Sequence, residues 1–164
     1  MIVIIILMKV ILFFSYGVSL KDWKNSGLFD REVKIYRHLA KSKNLKITFI
    51  TYGDEEDLQY ENEIPEIQII PLFMHYKKFN SNLIQILNSL LIGFKLRNLI
   101  KDRNVIVKTN QLWGSWVAII YKITTGSSLV VRTGYDLLSF KVKENKSRIK
   151  IFLYYLLTQI GLIF

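Results

Sequence analysis

Two short β-branched runs in the second half of the chain, residues 105–109 and 128–131, are each followed by polar side chains. These side chains are Asn110, Gln111, Arg132, Tyr135 and Asp136. Amide, guanidinium, phenol and carboxylate groups can hydrogen-bond a polar ligand or pair with its charges. Because the surrounding sequence is apolar, these residues are the first candidates for a binding site.

The segment that positions these side chains reads as a parallel β-α-β unit. Apolar runs at residues 105–109 and 128–131 flank a helical stretch at residues 112–121, a pattern typical of a right-handed crossover between parallel strands. In open parallel sheets, ligands bind beyond the carboxyl ends of the strands. The polar residues after both strands are therefore predicted to lie along one edge of the sheet.

The first half of the chain begins a similar unit. Residues 8–14 are predicted to form a central strand, and residues 15–17 then turn the chain into a polar loop. A helix with its apolar residues at helical spacing is predicted from Leu28, with Asn25 or Ser26 as its cap. Backbone N–H groups near Gly27 would give this helix an N-terminus suited to an anion.

The remaining runs complete a doubly wound pattern. Strands are predicted at residues 45–52 and 67–70, and the acidic run 54–57 is interpreted mainly as a solvated turn. A long amphipathic helix is predicted to end near Asp102, and Leu83, Leu87, Leu90 and Phe94 define its apolar face. The order β-α-β-β-α-β-α-β predicts an α/β fold with a mostly parallel, Rossmann-like sheet and helices on both faces.

The two ends of the chain differ from this pattern. Residues 1–7 are interpreted as a possible extension upstream of a start at Met8, which leaves residues 8–140 as the domain. Residues 141–164 are predicted to form a basic and then apolar C-terminal helix, the start of a truncated continuation. After Lys150 this helix is too short to span a membrane. It suits either anchoring on an anionic leaflet or packing against a missing partner. The basic candidates for membrane contact are Lys143, Lys146, Arg148 and Lys150.

Composition limits the possible partners. The chain has 23 Lys and Arg against 13 Asp and Glu, a formal charge of +10, two histidines and no cysteine. A disulfide framework, a thiolate metal site and a histidine-rich site are therefore excluded. The charge favours an anionic membrane surface or a phosphorylated small molecule. Nucleic acid is not expected as a partner, because no nucleic-acid-binding motif is present.

In the order and spacing of these strands and turns, the chain resembles the N-terminal domain of a GT-B glycosyltransferase of the family 4 type. The resemblance covers residues 8 to about 152. It implies that this domain binds the acceptor sugar or lipid-linked acceptor, that a second domain or subunit binds a nucleotide-sugar donor, and that no metal or other cofactor is needed. It implies acceptor contacts from Ser15, Tyr16, Gly17, Gly27, Asn110, Gln111, Arg132, Tyr135 and Asp136.

Within that resemblance, Arg132 is expected to pair with an acceptor phosphate, Tyr135 to stack on a sugar, and Asp136 and Asn110 to hydrogen-bond hydroxyls. Residues 109–111 lack the histidine that many relatives carry, and no donor-binding half is present. No catalytic residue is therefore predicted, and the chain alone is expected to be inactive. The expected location is cytoplasmic, either free or peripheral on the inner face of the plasma membrane.

The alternative function is a non-catalytic doubly wound module, either a partner-binding subunit or a truncated remnant. The apolar C-terminal segment favours this alternative, because exposed apolar surface of this kind is usually covered by a partner. A dehydrogenase is disfavoured, because no G-x-G-x-x-G sequence follows a predicted strand.

Overall fold

The computed structural model describes residues 8–100 and 105–133, together with four helical positions near the C-terminus: Phe152, Tyr155, Leu156 and Gln159. Residues 1–7 and the basic side chains proposed for membrane contact, Lys143, Lys146, Arg148 and Lys150, lie outside the described residues. The expectations about the N-terminal extension and the C-terminal membrane contact therefore stay predictions.

Strands and helices alternate along the described chain much as the sequence predicts. The strands are β1 (Lys9–Phe13), β2 (Lys46–Thr51), β3 (Ile67–Pro71), β4 (Val105–Thr109) and β5 (Ser128–Val130). The helices are α1 (Leu20–Asn25), α2 (Phe29–Lys43), α3 (Leu72–His75), α4 (Asn82–Leu99), α5 (Ser115–Thr125) and a 3₁₀ helix at Glu55–Asn62.

All strands of the described sheet are parallel, in the order β3-β2-β1-β4-β5. In the centre, β1 pairs with β2 and with β4, so that Lys9 lies beside both Lys46 and Val105. From β1, the strands β2 and β3 extend the sheet on one side, and the chain then crosses back so that β4 and β5 extend it on the other side. The Rossmann-like, doubly wound fold predicted from the sequence is confirmed, and its topological switch point lies between β1 and β4.

The central strand supplies both hydrophobic cores. Leu12 and Phe14 face α1 and α2, whereas Ile11 and Phe13 face α4 and α5. This alternation is the two-residue period of a strand that is buried on both faces. On the first face, the ring of Trp23 stacks on Phe14 with 4.0 Å between centroids.

Helix α1 occupies a stretch that the sequence analysis assigned to a polar loop, and that assignment is wrong. Ser19 accepts a hydrogen bond at Oγ from the backbone N–H of Asp22, and the Asp22 carboxylate accepts one from the backbone N–H of Ser19. This reciprocal capping box stabilises the N-terminus of the helix. Leu20 and Trp23, three residues apart, bury the inner face of α1.

The acidic run 54–57 is also more structured than the predicted solvated turn. It enters the 3₁₀ helix, and the Asp57 side chain is buried. The Asp57 carboxylate accepts hydrogen bonds from the backbone N–H groups of Leu20 and Lys21, at 3.1 and 3.2 Å, and from the Thr51 hydroxyl at 2.6 Å. Asp57 therefore ties the start of α1 to the end of β2.

Helix α4 presents a different face to the core from the one that the sequence analysis predicted. It ends at Leu99 rather than near Asp102. Of the four residues expected to face inward, Leu83, Leu87 and Phe94 are each more than half exposed, whereas Leu90 does pack against the core. The buried residues are Gln85, Ser89, Ile92, Gly93 and Leu96. The helix is apolar on two sides, so periodicity alone selected the wrong one.

One ion pair on the outside of the fold leads to a pH prediction. Arg37 Nε donates to Glu66 at 2.7 Å, and mainly this hydrogen bond lowers the Glu66 pKa from 4.5 to about 2. A lowered carboxyl pKa stabilises the fold above the unfolded pKa, and that contribution disappears as the pH falls through the folded pKa. We expect Glu66→Gln to be less stable than the parent at pH 6, with the difference shrinking between pH 4.5 and pH 2.

Urea unfolding of both proteins across that range measures the effect. Glu61→Gln is the matched control, because Glu61 is exposed on the nearby 3₁₀ helix. A stability difference for Glu66→Gln that did not change with pH would mean that the substitution acts through packing rather than through the ion pair.

Candidate functional site

A cleft of about 680 Å³ opens at the carboxyl edge of the sheet, at the switch point between β1 and β4. We refer to it as the switch-point cleft. It is bounded by the residues after these two strands, by α1 and by the first turn of α2. Its lining residues are Ser15, Val18, Asp22, Trp23, Asn25, Ser26, Leu28, Arg31, Glu32, Asn110, Gln111 and Arg132.

Two lining residues carry buried polar atoms with no hydrogen-bond partner. Ser15 and Asn110 are 7% and 4% exposed, and Ser15 Oγ and Asn110 Oδ1 are both unpaired. The backbone holds the second residue in place, because the Asn110 N–H donates to the Phe13 carbonyl at 2.7 Å. A buried polar atom without a partner is costly. A ligand with hydroxyl groups can supply the missing hydrogen bonds in this cleft.

The first turn of α2 forms one wall of the cleft. Its N-cap is Leu28, which makes no side-chain capping hydrogen bond. The prediction that Asn25 or Ser26 caps this helix is therefore wrong, and the Ser26 hydroxyl donates instead to the Asp22 carbonyl at 2.7 Å. The first intrahelical hydrogen bond runs from the Glu32 N–H to the Leu28 carbonyl. The Gly27 and Leu28 N–H groups, predicted to suit an anion, donate instead to the Lys24 and Trp23 carbonyls, at 3.1 and 2.9 Å, so they are not open to a ligand. The helix dipole still makes this end of α2 electropositive.

A buried carboxylate joins α2 to the end of β5. Glu32 Oε2 accepts from Arg132 Nη1 at 3.0 Å, and Glu32 Oε1 accepts from Arg31 Nη2 at 2.9 Å. Burial raises the Glu32 pKa, but the hydrogen bonds from Arg132 and Arg31 outweigh that effect and hold the pKa below its ordinary value. Arg132 lies in the cleft as expected, but its charge is already paired with Glu32. A phosphate would have to compete with that carboxylate.

A second polar pair, Lys108 and Tyr36, lies close enough to Arg132 for its charge to affect the pKa values of both residues. Lys108 Nζ donates to the Tyr36 hydroxyl at 2.9 Å. Burial raises the Tyr36 pKa to about 12, further above physiological pH than the pKa of an ordinary phenol. Burial, and then the charge of Arg132, lower the Lys108 pKa. The cationic groups of this region are thus held by partners from the chain itself.

Two of the other predicted contacts, Tyr16 and Gly17, do not line the cleft. Tyr16 is not a lining residue, and its ring packs against Tyr52, Trp113 and Trp116 on the opposite side of the sheet. Gly17 is exposed with φ of 78° and does not line the cleft.

Of the remaining predicted contacts, Gly27 has φ of 70° and makes the turn between the lining residues Ser26 and Leu28. Tyr135 and Asp136 lie outside the described residues.

Comparison of the chain with protein-family models, with curated proteins and with solved structures found no match. The case for a function therefore depends on the cleft and on the fold. Within the described part of the chain, no group of three or more histidine or acidic side chains is placed to hold a metal ion. Over the same residues, no helix combines the length and hydrophobicity that crossing a bilayer requires.

Several lining residues were not predicted from the sequence. Helix α1, which the sequence analysis missed, places Asp22 in the cleft. The first turn of α2 places Arg31 and Glu32 there, on the side toward β5. The Ser19 to Asp22 spacing of a capping box was the available signal for α1. No sequence signal pairs Glu32 with Arg132, because they are one hundred residues apart in the chain.

Proposed function

We propose that this chain is the acceptor-binding half of a glycosyltransferase, which moves a sugar from a nucleotide-sugar to a lipid-linked or polysaccharide acceptor. The observation that carries the proposal is the pair of unpaired, buried polar atoms at the switch point, Ser15 Oγ and Asn110 Oδ1. The resemblance of the chain to family 4 N-terminal domains supplies the reaction.

The cleft suits sugar hydroxyls better than the diphosphate of a nucleotide-sugar. Ser15, Asn110 and Gln111 offer a hydroxyl and two amides, which can both donate to and accept from a polyol. A diphosphate needs unshared cations, whereas Arg31 and Arg132 already share the Glu32 carboxylate. The donor is therefore assigned to a second domain or subunit. Alone, this chain binds the acceptor and does not transfer sugar.

The test measures ligand binding to the 164-residue chain by saturation-transfer NMR. The probes are methyl glycosides of glucose, galactose, mannose and N-acetylglucosamine, with UDP as the donor-like competitor. We expect at least one glycoside to bind with a dissociation constant of about 1 to 10 mM, and Asn110→Ala to weaken it about tenfold, the effect of one lost hydrogen bond. UDP is not expected to displace it.

The matched control is Asn62→Ala, which removes an exposed amide at the end of the 3₁₀ helix and should leave binding unchanged. Because Asn110 Oδ1 has no partner to lose, Asn110→Ala should also keep the melting temperature within about 2 °C of the parent. Unchanged glycoside binding in folded Asn110→Ala, or equally tight binding of UDP at the cleft, would contradict the proposal.

The second candidate function is a doubly wound module that binds a partner protein without catalysis. The exposed apolar side chains of α4 are the observation that favours it. This candidate predicts a protein complex that forms through α4 and a cleft that binds no glycoside. The NMR titration described above therefore separates the two functions.

A further inference from the structure

The outward side of α4 carries a continuous apolar stripe. Between 49% and 61% of each of its side chains is exposed. The members are Leu83, Ile84, Leu87, Leu91 and Phe94, and we call them the outer face of α4. At about 1.5 Å of rise per residue, the 18 residues of this helix extend about 27 Å. Single exposed apolar residues are ordinary, but a stripe of five along one helix marks an interaction surface.

The inward side of the same helix is more polar than its outer face. Ser89 Oγ accepts a hydrogen bond from the indole N–H of Trp116 at 2.8 Å, and Gln85 Oε1 accepts one from the Phe79 N–H at 2.7 Å. Gly93 allows α4 to approach α5, because a Cβ atom there would lie 2.9 Å from Ile120 Cβ. Packing against the described part of the domain thus does not require the outer leucines, which stay exposed to a further binding partner.

The charged residues closest in sequence to the outer face have a single sign. From residue 67 to residue 101 the sequence contains no aspartate or glutamate. Lys95 and Arg97 are exposed on α4 itself, and Lys77 and Lys78 are exposed on the loop before it. Asn88 Nδ2 holds this loop beside the helix by donating to the Lys77 carbonyl at 3.0 Å. The apolar stripe is therefore bordered by cations with no nearby sequence neighbour to neutralise them.

We propose that the outer face of α4 lies in the interface of an anionic lipid bilayer, with the helix axis parallel to the membrane. Leucine and phenylalanine side chains enter the acyl region, and the lysine and arginine side chains reach the lipid phosphates. The apolar stripe by itself suits a protein partner as well as lipid. The cations decide for lipid, because lysine is depleted at protein interfaces whereas this surface has three exposed lysines. The inference is independent of sugar binding in the switch-point cleft.

The test is co-sedimentation of the full chain with vesicles of equal parts phosphatidylglycerol and phosphatidylcholine. We expect the parent to bind these vesicles at least tenfold more strongly than pure phosphatidylcholine vesicles, and to be partly released by 0.5 M salt. The double variant Leu87→Gln/Phe94→Gln should lose at least tenfold in binding. Because both side chains are exposed, the variant should remain folded, which circular dichroism checks.

The control is the double variant Ile35→Gln/Ile123→Gln, which removes equally exposed apolar side chains from α2 and α5. It should bind vesicles within twofold of the parent. Parent-like binding by Leu87→Gln/Phe94→Gln would overturn the proposal, since the basic residues 143–150 would then suffice for attachment. Absence of parent binding to anionic vesicles, or a self-association that Leu87→Gln/Phe94→Gln abolishes in place of vesicle binding, would also overturn it.

Discussion

Replacing Asp57 with alanine is expected to lower the free energy of unfolding by about 3 to 5 kcal/mol. The side chain is 1% exposed, and its carboxylate accepts hydrogen bonds from the backbone N–H groups of Leu20 and Lys21 and from the Thr51 hydroxyl. Alanine would leave these donors buried without their acceptor. A buried donor that loses its acceptor costs about 1 to 3 kcal/mol.

Urea unfolding at pH 7, followed by far-ultraviolet circular dichroism, measures this loss. The control is Glu56→Ala, which removes the neighbouring exposed carboxylate and its surface ion pair with Lys21. Such surface pairs contribute about 0 to 1 kcal/mol. If Asp57→Ala were no less stable than Glu56→Ala, Asp57 would not be the link between α1 and β2 that its hydrogen bonds indicate.

Gly114→Ala is expected to destabilise the fold by about 3 kcal/mol or more and to disturb the switch-point cleft. Gly114 has φ of 96°, and a Cβ atom on it would lie 2.5 Å from the backbone nitrogen of Tyr16. That nitrogen donates to the Trp113 carbonyl at 3.1 Å, which joins the turn after β1 to the start of α5. The substitution adds both backbone strain and a clash with main-chain atoms that cannot rotate away.

Gly126→Ala separates these two effects. Gly126 also has a positive φ, 74°, but a Cβ atom there would have no neighbour within 4 Å. It should therefore cost only the strain of the left-handed conformation, about 1 to 2 kcal/mol. Thermal and urea unfolding of both variants give the comparison. Equal losses would mean that the Tyr16 backbone moves aside easily.

The sheet could be predicted because its strands are short apolar runs between polar turns. β1 and β4 are rich in β-branched or large apolar residues, and the stretches between strands are long enough for crossover helices. α1 was missed because it has only six residues, less than two full turns, and its helical character lies in a capping box rather than in a periodic face. Propensity over a short window cannot separate such a helix from a polar loop.

The face of α4 could not be predicted for a different reason. Its apolar residues outnumber those needed on one side, and the true inner side includes Gln85 and Ser89, which satisfy partners in the fold. Hydrophobic periodicity assumes that the most apolar side packs inward. That assumption fails when a helix has apolar residues on both of its sides, as α4 has.

The candidate site was predicted in part. Ser15, Asn110, Gln111 and Arg132 line the cleft because parallel strands place their carboxyl ends at one edge, which topology alone implies. The pairing of the charged residues in the site could not be predicted from the sequence. Glu32 stands three residues after Phe29 and four before Tyr36, on the apolar face of α2, so its burial had a sequence signal. Its pairing with Arg132, one hundred residues away, had none.

The position of β1 at the centre of the sheet also sets an order for folding. Lys9 pairs with Lys46 on one side and with Val105, more than twice as far along the chain, on the other. Closing the longer loop costs more chain entropy, so the β1-β2 pairing is expected to form before the β1-β4 pairing. The walls of the switch-point cleft therefore meet late, and a partly folded chain would have its first core without a binding site.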